Sequence, residues 1–184
     1  YIANLFVLTS DASPNVIKLP PNHTNKNKAE GGNDLLGEVL QQGNNLLLVG
    51  GPHQNAVTAH VASYWQSIRH AANWSRAGDL SLGRCLYRGR SVGALILGPI
   101  PSGGLALVLT GSDSAALRAA VSLSDPTIPP MVRAPFSNTM PDFLVIGPRF
   151  AAEGYGGLLA AGFFDQFWQV SASAISFSAG CHTV

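Results

Sequence analysis

Apolar residues come along this chain in short runs, and most of the runs close on glycine or proline. The clearest is 45–52, Asn-Leu-Leu-Leu-Val-Gly-Gly-Pro, too short for a helix and apolar without interruption, as expected of a parallel strand covered on both faces. Beyond its glycine turn, Val57, Val61, Tyr64 and Ile68 recur at spacings of four, three and four residues, the stripe of a helix lying on a core, with Trp65 near the edge of the stripe. Strand, glycine turn and helix make a βα unit, which normally crosses over right-handedly to another parallel strand.

The same grammar returns downstream. Residues 91–97 and 105–109 read as strands, and the Gly98-Pro99 and Gly103-Gly104 pairs between them mark a candidate hairpin. Thr110-Gly111-Ser112-Asp113 then opens a second helix, with Ser112 as N-cap, Asp113 in the first turn and Leu117, Ala120 and Val121 facing inward. Residues 142–147 and 157–164 supply further strands, and 2–8 and 14–19 two more. Asn33 or Asp34 caps a helix bearing Leu35, Leu36, Val39 and Leu40, which ends at Gly43. Residues 20–33 and 124–141 lack any apolar period and read as long surface loops. With no repeat, heptad or compositional break, 1–184 is expected to form a single domain. The expected class is α/β: three layers, a mainly parallel sheet with helices on both faces, Rossmann-like or flavodoxin-like, with some antiparallel edge strands.

Composition narrows the function classes. A chain of 184 residues with 46% apolar content can close a core without a structural metal. Eleven Lys plus Arg against ten Asp plus Glu, with no basic run beyond Lys26 and Lys28, leave no footprint for nucleic acid. No apolar run approaches the roughly 20 residues of a membrane span. Asn22-His23-Thr24 and Asn73-Trp74-Ser75 are N-glycosylation triplets, and Asn22 and Asn73 would be the acceptors in a secreted protein. The two cysteines, Cys85 and Cys181, fit an oxidising setting as a disulfide that closes a long loop, or else are two buried thiols. The start at Tyr1 without a leader pattern suggests processed material or a piece of a longer precursor.

Reactive residues are scattered. A serine hydrolase needs a nucleophile on a tight strand-to-helix turn, a His and an acid. No Gly-x-Ser-x-Gly occurs; Ser176-Phe177-Ser178-Ala179-Gly180 lacks the first glycine, and Ser112 and Ser114 beside Asp113 suit helix capping, so no catalytic residue is assigned. His53, His60 and His70 are spaced wrongly for a shared metal, and neither a metal nor a cofactor is expected, since no dinucleotide or phosphate-loop glycine pattern is present. The aromatic residues read as core, although Trp74 next to Asn73 could be covered by a glycan. The candidate ligand site is the crevice at the strand ends: Gly50, Gly51, His53 and Asn55 from the first unit, Ser112 and Asp113 from the second.

The runs 45–52 with Asn55, 105–113, 141–145, Gly156-Gly157 and 160–164, taken in order, resemble the C-terminal accessory region of secreted fungal proteins of the prolyl-oligopeptidase-like α/β-hydrolase family. The resemblance covers about two thirds of the chain. It implies a non-catalytic accessory or interaction domain, partnered by a domain or chain from the same precursor. Two other readings stay open: an extracellular carbohydrate- or anion-binding module, and a serine hydrolase subunit completed by another chain.

Overall fold

The computed structural model describes residues 45–123, 141–171, 177–178 and 181–183. The strands expected at 2–8 and 14–19, the helix at 34–43, Asn22 and nearly all of both long loops lie outside the described residues.

The elements run β1 (Leu46–Val49), α1 (Ala56–Ser67), β2 (Ala72–Trp74), β3 (Leu80–Leu82), β4 (Cys85–Tyr87), β5 (Gly93–Pro99), β6 (Leu105–Gly111), α2 (Ser114–Ser122), β7 (Phe143–Ile146), α3 (Phe150–Glu153), a 3₁₀ turn (Gly154–Gly157), β8 (Leu158–Gly162), β9 (Phe177–Ser178) and β10 (His182–Thr183). They form a six-stranded sheet in the order β1-β6-β5-β7-β8-β9 and a four-stranded sheet in the order β10-β4-β3-β2.

The expected mainly parallel, Rossmann-like or flavodoxin-like sheet is not what forms. Among the described residues of the larger sheet only β1 and β6 pair in parallel; β5 pairs antiparallel with both β6 and β7, and β8 with both β7 and β9. The smaller sheet is antiparallel throughout. Antiparallel pairing therefore sits at the centre, not at the edge. The reason lies in the turn after β5: Ile100 and Gly104 close it with a 2.9 Å backbone hydrogen bond, so Pro99 faces Leu105 and the chain doubles straight back. An uninterrupted apolar strand such as β5 shows only that both faces are covered, and says nothing about direction. β1 also departs from expectation. Among the described residues it is an edge strand, and Val49 is 42% exposed.

Alternation along the strands splits the core in two. Ala94, Ile96, Ala106, Val108, Phe143 and Val145 meet Val57, Val61 and Trp65 of α1 together with Ala72, Leu80, Leu82 and Tyr87 of the smaller sheet. Leu95, Leu109, Leu144 and Ile146 face the other way, onto Leu123, Phe150 and Leu158. The stripe of α1 is rotated from the expected one: Trp65 is fully buried and Tyr64 only half so. Trp65 donates its Nε1–H to the Pro99 carbonyl at 2.8 Å, and its ring lies flat over Gly98, where a Cβ would come within 2.4 Å of it. Gly98 is thus a gap cut for an indole rather than a turn residue.

Cys85 and Cys181 are joined in a disulfide across 96 positions, which ties β10 to β4 in the smaller sheet. The other reading of these cysteines, as two buried thiols, is thereby removed.

Candidate functional site

The carboxyl ends of β1 and β6 lie side by side, because Gly50 N–H donates to the Leu109 carbonyl at 2.8 Å and carries the parallel ladder one step past β1. Gly51 follows, and a Cβ there would stand 2.7 Å from Thr110 Oγ1, so only glycine lets the turn press against β6. Asn55 caps α1: its Oδ1 accepts from Val57 N at 2.9 Å and Thr58 N at 3.3 Å, and its Nδ2 donates to Val49 O at 3.1 Å. Thr58 Oγ1 donates to Gly50 O at 2.9 Å. The N–H groups of Val57, Thr58 and Ala59, which could have received an anion at this helix start, are taken by Asn55.

At the second helix the cap is Asp113, not Ser112. Asp113 accepts from Ala116 N and from Ser91 N, each at 2.8 Å. These bonds, the one from Ala116 first, favour the ionised carboxylate and hold its pKa below the ordinary value. Ser112 Oγ instead accepts from Val92 N at 3.1 Å, which pins the start of β5. Ala116 and Ala120 are the buried residues of α2, in place of the expected Leu117 and Val121, which are half-buried.

His53 is exposed and donates from Nε2 to the Ser75 carbonyl at 3.2 Å, bracing the turn between β2 and β3. That turn is knotted by Ser75 Oγ, which accepts from the N–H groups of Ala77 and Asp79 and donates to Asp79 Oδ2. Gly78, at φ +88°, supplies the left-handed residue.

Between this turn and the end of β6 lies a cleft of about 200 Å³, walled by Trp74, Gly78, Asp79, Tyr87, Thr110 and Ser112, among others. Of the six residues proposed from sequence, Ser112 lines the cleft. Gly50, Gly51, His53, Asn55 and Asp113 do not line it; Gly51 packs against Thr110, His53 braces the Ser75 turn, and Asp113 bonds to Ser91 at the start of β5. Sequence reasoning missed Trp74, Asp79, Tyr87 and Thr110. The signal present was the Ser75-to-Asp79 turn around Gly78, a compact polar knot between two short apolar stretches.

His70, grouped by sequence with His53 and His60, serves elsewhere. It is buried at the seam of the two sheets, where its Nδ1 accepts from Ala72 N at 2.9 Å and its Nε2 makes no hydrogen bond that meets the usual geometry among the described residues. The ring stacks on Trp65 at 4.4 Å and on Trp168 at 5.6 Å, with Phe164 edge-on at 4.6 Å. Burial lowers its pKa to about 4, so it is neutral at physiological pH. Among the described residues no three His, Cys, Asp or Glu side chains gather as a metal site would require.

Asn73, on the outer strand of the smaller sheet, is exposed. Its Oδ1 accepts from Gln66 Nε2 and from Trp74 N, both at 2.8 Å.

No family model matches the chain, and no solved structure matches it. A protein of Arthroderma benhamiae described as an uncharacterized secreted protein is 33% identical over 133 residues. The match takes in 72% of this chain but spans only 13% of the relative's length. The protein is secreted, in keeping with this relative and with the disulfide. No described helix is long and apolar enough to cross a membrane.

Proposed function

We propose that this chain is a non-catalytic domain of a longer secreted protein and that its contribution is to hold a ligand in the cleft between its two sheets. One observation carries the reading. Ser112 and Asp113, the pair closest to a hydrolase signature, are both bonded to backbone N–H groups of the β5 start and the α2 first turn. A nucleophile needs a His within hydrogen-bond reach, and these side chains are committed to architecture instead. The small share of the secreted relative that aligns with this chain supports the accessory role. The link to prolyl-oligopeptidase-like hydrolases rests on the sequence resemblance alone and concerns the rest of such a longer protein. Asn73, exposed and with only its carbonyl oxygen engaged, is proposed as a glycan acceptor, as is Asn22 from its triplet.

The test is active-site labelling. A fluorophosphonate probe should leave the folded, disulfide-bonded chain unmodified by mass, whereas stoichiometric labelling of Ser112 or Ser114 would overturn the non-catalytic reading.

A further inference from the structure

We propose that the cleft takes one neutral pyranose unit of a saccharide, a proposal that rests on the ligand-binding reading above and names its chemical class. The first argument is unspent hydrogen-bonding capacity. Thr110 is 7% exposed, lines the cleft, and its Oγ1 makes no hydrogen bond to the described residues. That hydroxyl can therefore give or accept a hydrogen bond on the cleft side. Ser112 Oγ accepts from Val92 N and keeps its own proton to give. Asp79 Oδ2 is engaged by the Ser75 hydroxyl at 3.3 Å and by Arg88 at 3.8 Å, while its Oδ1 has no partner among the described residues. One donor, one acceptor and one hydroxyl that does either, converging on one space, match a ring bearing several hydroxyl groups.

Shape and charge choose within that class. At about 200 Å³ the space is smaller than the roughly 300–1,000 Å³ of drug-sized sites, and suits a single ring. Trp74, half-buried in its wall, gives the apolar face of a sugar something to lie against, while Tyr87 packs into the core behind it. The charged side chain lining the cleft is the carboxylate of Asp79. Both helix starts nearby are capped by their own side chains, so neither draws an anion. Arg76, Arg88 and Arg90 neighbour the lining residues Ala77, Tyr87 and Gly89, but they are exposed, so water and salt screen their charge, and Arg88 is already set against Asp79. A small anion is therefore disfavoured relative to a neutral sugar.

The experiment titrates the disulfide-bonded chain with the methyl glycosides of glucose, galactose, mannose, xylose and N-acetylglucosamine, and separately with phosphate, sulfate and glucuronate. Tryptophan fluorescence and saturation-transfer NMR report binding. At least one neutral glycoside should saturate with a dissociation constant on the order of 1 mM, as expected for a dozen-atom ligand. Thr110→Val and Asp79→Asn, checked for an unchanged unfolding midpoint, should each weaken it about tenfold. Saturation by phosphate, sulfate or glucuronate with no response to any neutral glycoside overturns the sugar class and leaves the ligand-binding reading standing. Binding of a glycoside that both variants leave unchanged overturns the placement in this cleft. Silence from every probe overturns the proposal and the reading beneath it.

Discussion

The two sheets of this molecule are built on different principles. The larger has strands of up to seven residues that are apolar on both faces, and helices or the smaller sheet cover it over most of its area. The smaller has strands of three residues or fewer, carries exposed arginines in its turns, and buries only the side that leans on the larger one. Short strands bury too little to be stable alone. The smaller sheet is instead held by a covalent link and by the aromatic cluster around His70. The difference teaches where function can sit. Thr110 and Ser112 come from the end of β6, Trp74, Asp79 and Tyr87 from the smaller sheet and its turn, so the cleft depends on how the two meet.

Cutting the tether should give the largest effect. A cross-link over 96 positions stabilises by about 4–5 kcal/mol through loop-closure entropy. The double variant Cys85→Ala/Cys181→Ala should therefore lose close to that amount in chemical denaturation. Hydrogen exchange should show where it goes: amides of 80–87 should exchange faster while those of 94–96 stay protected. An equal loss of protection in both sheets would mean that they are one cooperative unit and that the contrast between them is only geometric.

Protonating the seam comes next. His70 is neutral in the fold, with its pKa lowered from 6.5 to about 4 by burial. A group whose folded pKa is depressed in this way stabilises the neutral form, so its contribution is whole above pH 6.5, shrinks as the pH falls toward 4, and is gone below that. The full span corresponds to about 3 kcal/mol. Asp113 runs in a separate window: its pKa lies below the ordinary 3.8, so its contribution persists until more acid conditions. Stability measured from pH 7 to 4 should therefore fall smoothly, and His70→Phe should flatten the slope. It should also lower the plateau, because Ala72 N loses its acceptor. A slope that survives in His70→Phe would place the acid sensitivity elsewhere.

Much of the larger sheet was legible in the sequence, and much of the cleft was not, for one physical reason. Strands buried on both faces announce themselves as apolar runs, which is why 46–49, 105–109 and 142–147 could be located before any coordinates. Direction could not be read from the runs themselves, because a strand covered on both sides looks alike whichever way its neighbour runs; only the candidate hairpin between 91–97 and 105–109 gave one, and it forms. The short turn after Pro99 carried that information, and it made the sheet mixed. The smaller sheet was invisible: Leu80-Ser81-Leu82 does alternate, but three residues of period two do not stand out from a loop. With it went Trp74, Asp79 and Tyr87, half of the candidate site. The rotation of α1 had a similar cause, since Tyr64 and Trp65 are adjacent and only the gap over Gly98 decides which ring turns inward.

The smallest expected effect tests the joint between β1 and α1. Asn55 joins the end of β1 to the start of α1 with both ends of its amide, capping Val57 N and Thr58 N and donating to Val49 O. Asn55→Ala removes all three bonds and should cost about 1 kcal/mol, the usual loss for an N-cap. Asn55→Asp keeps an acceptor for the helix N–H groups, and its charge suits the helix start. It also sets a carboxylate against the Val49 carbonyl in place of a donor, so its loss should fall between wild type and alanine in urea midpoint. An aspartate variant as stable as wild type would show that the bond to Val49 contributes nothing, and that the ladder from Gly50 to Leu109 alone holds the Gly51 turn against Thr110.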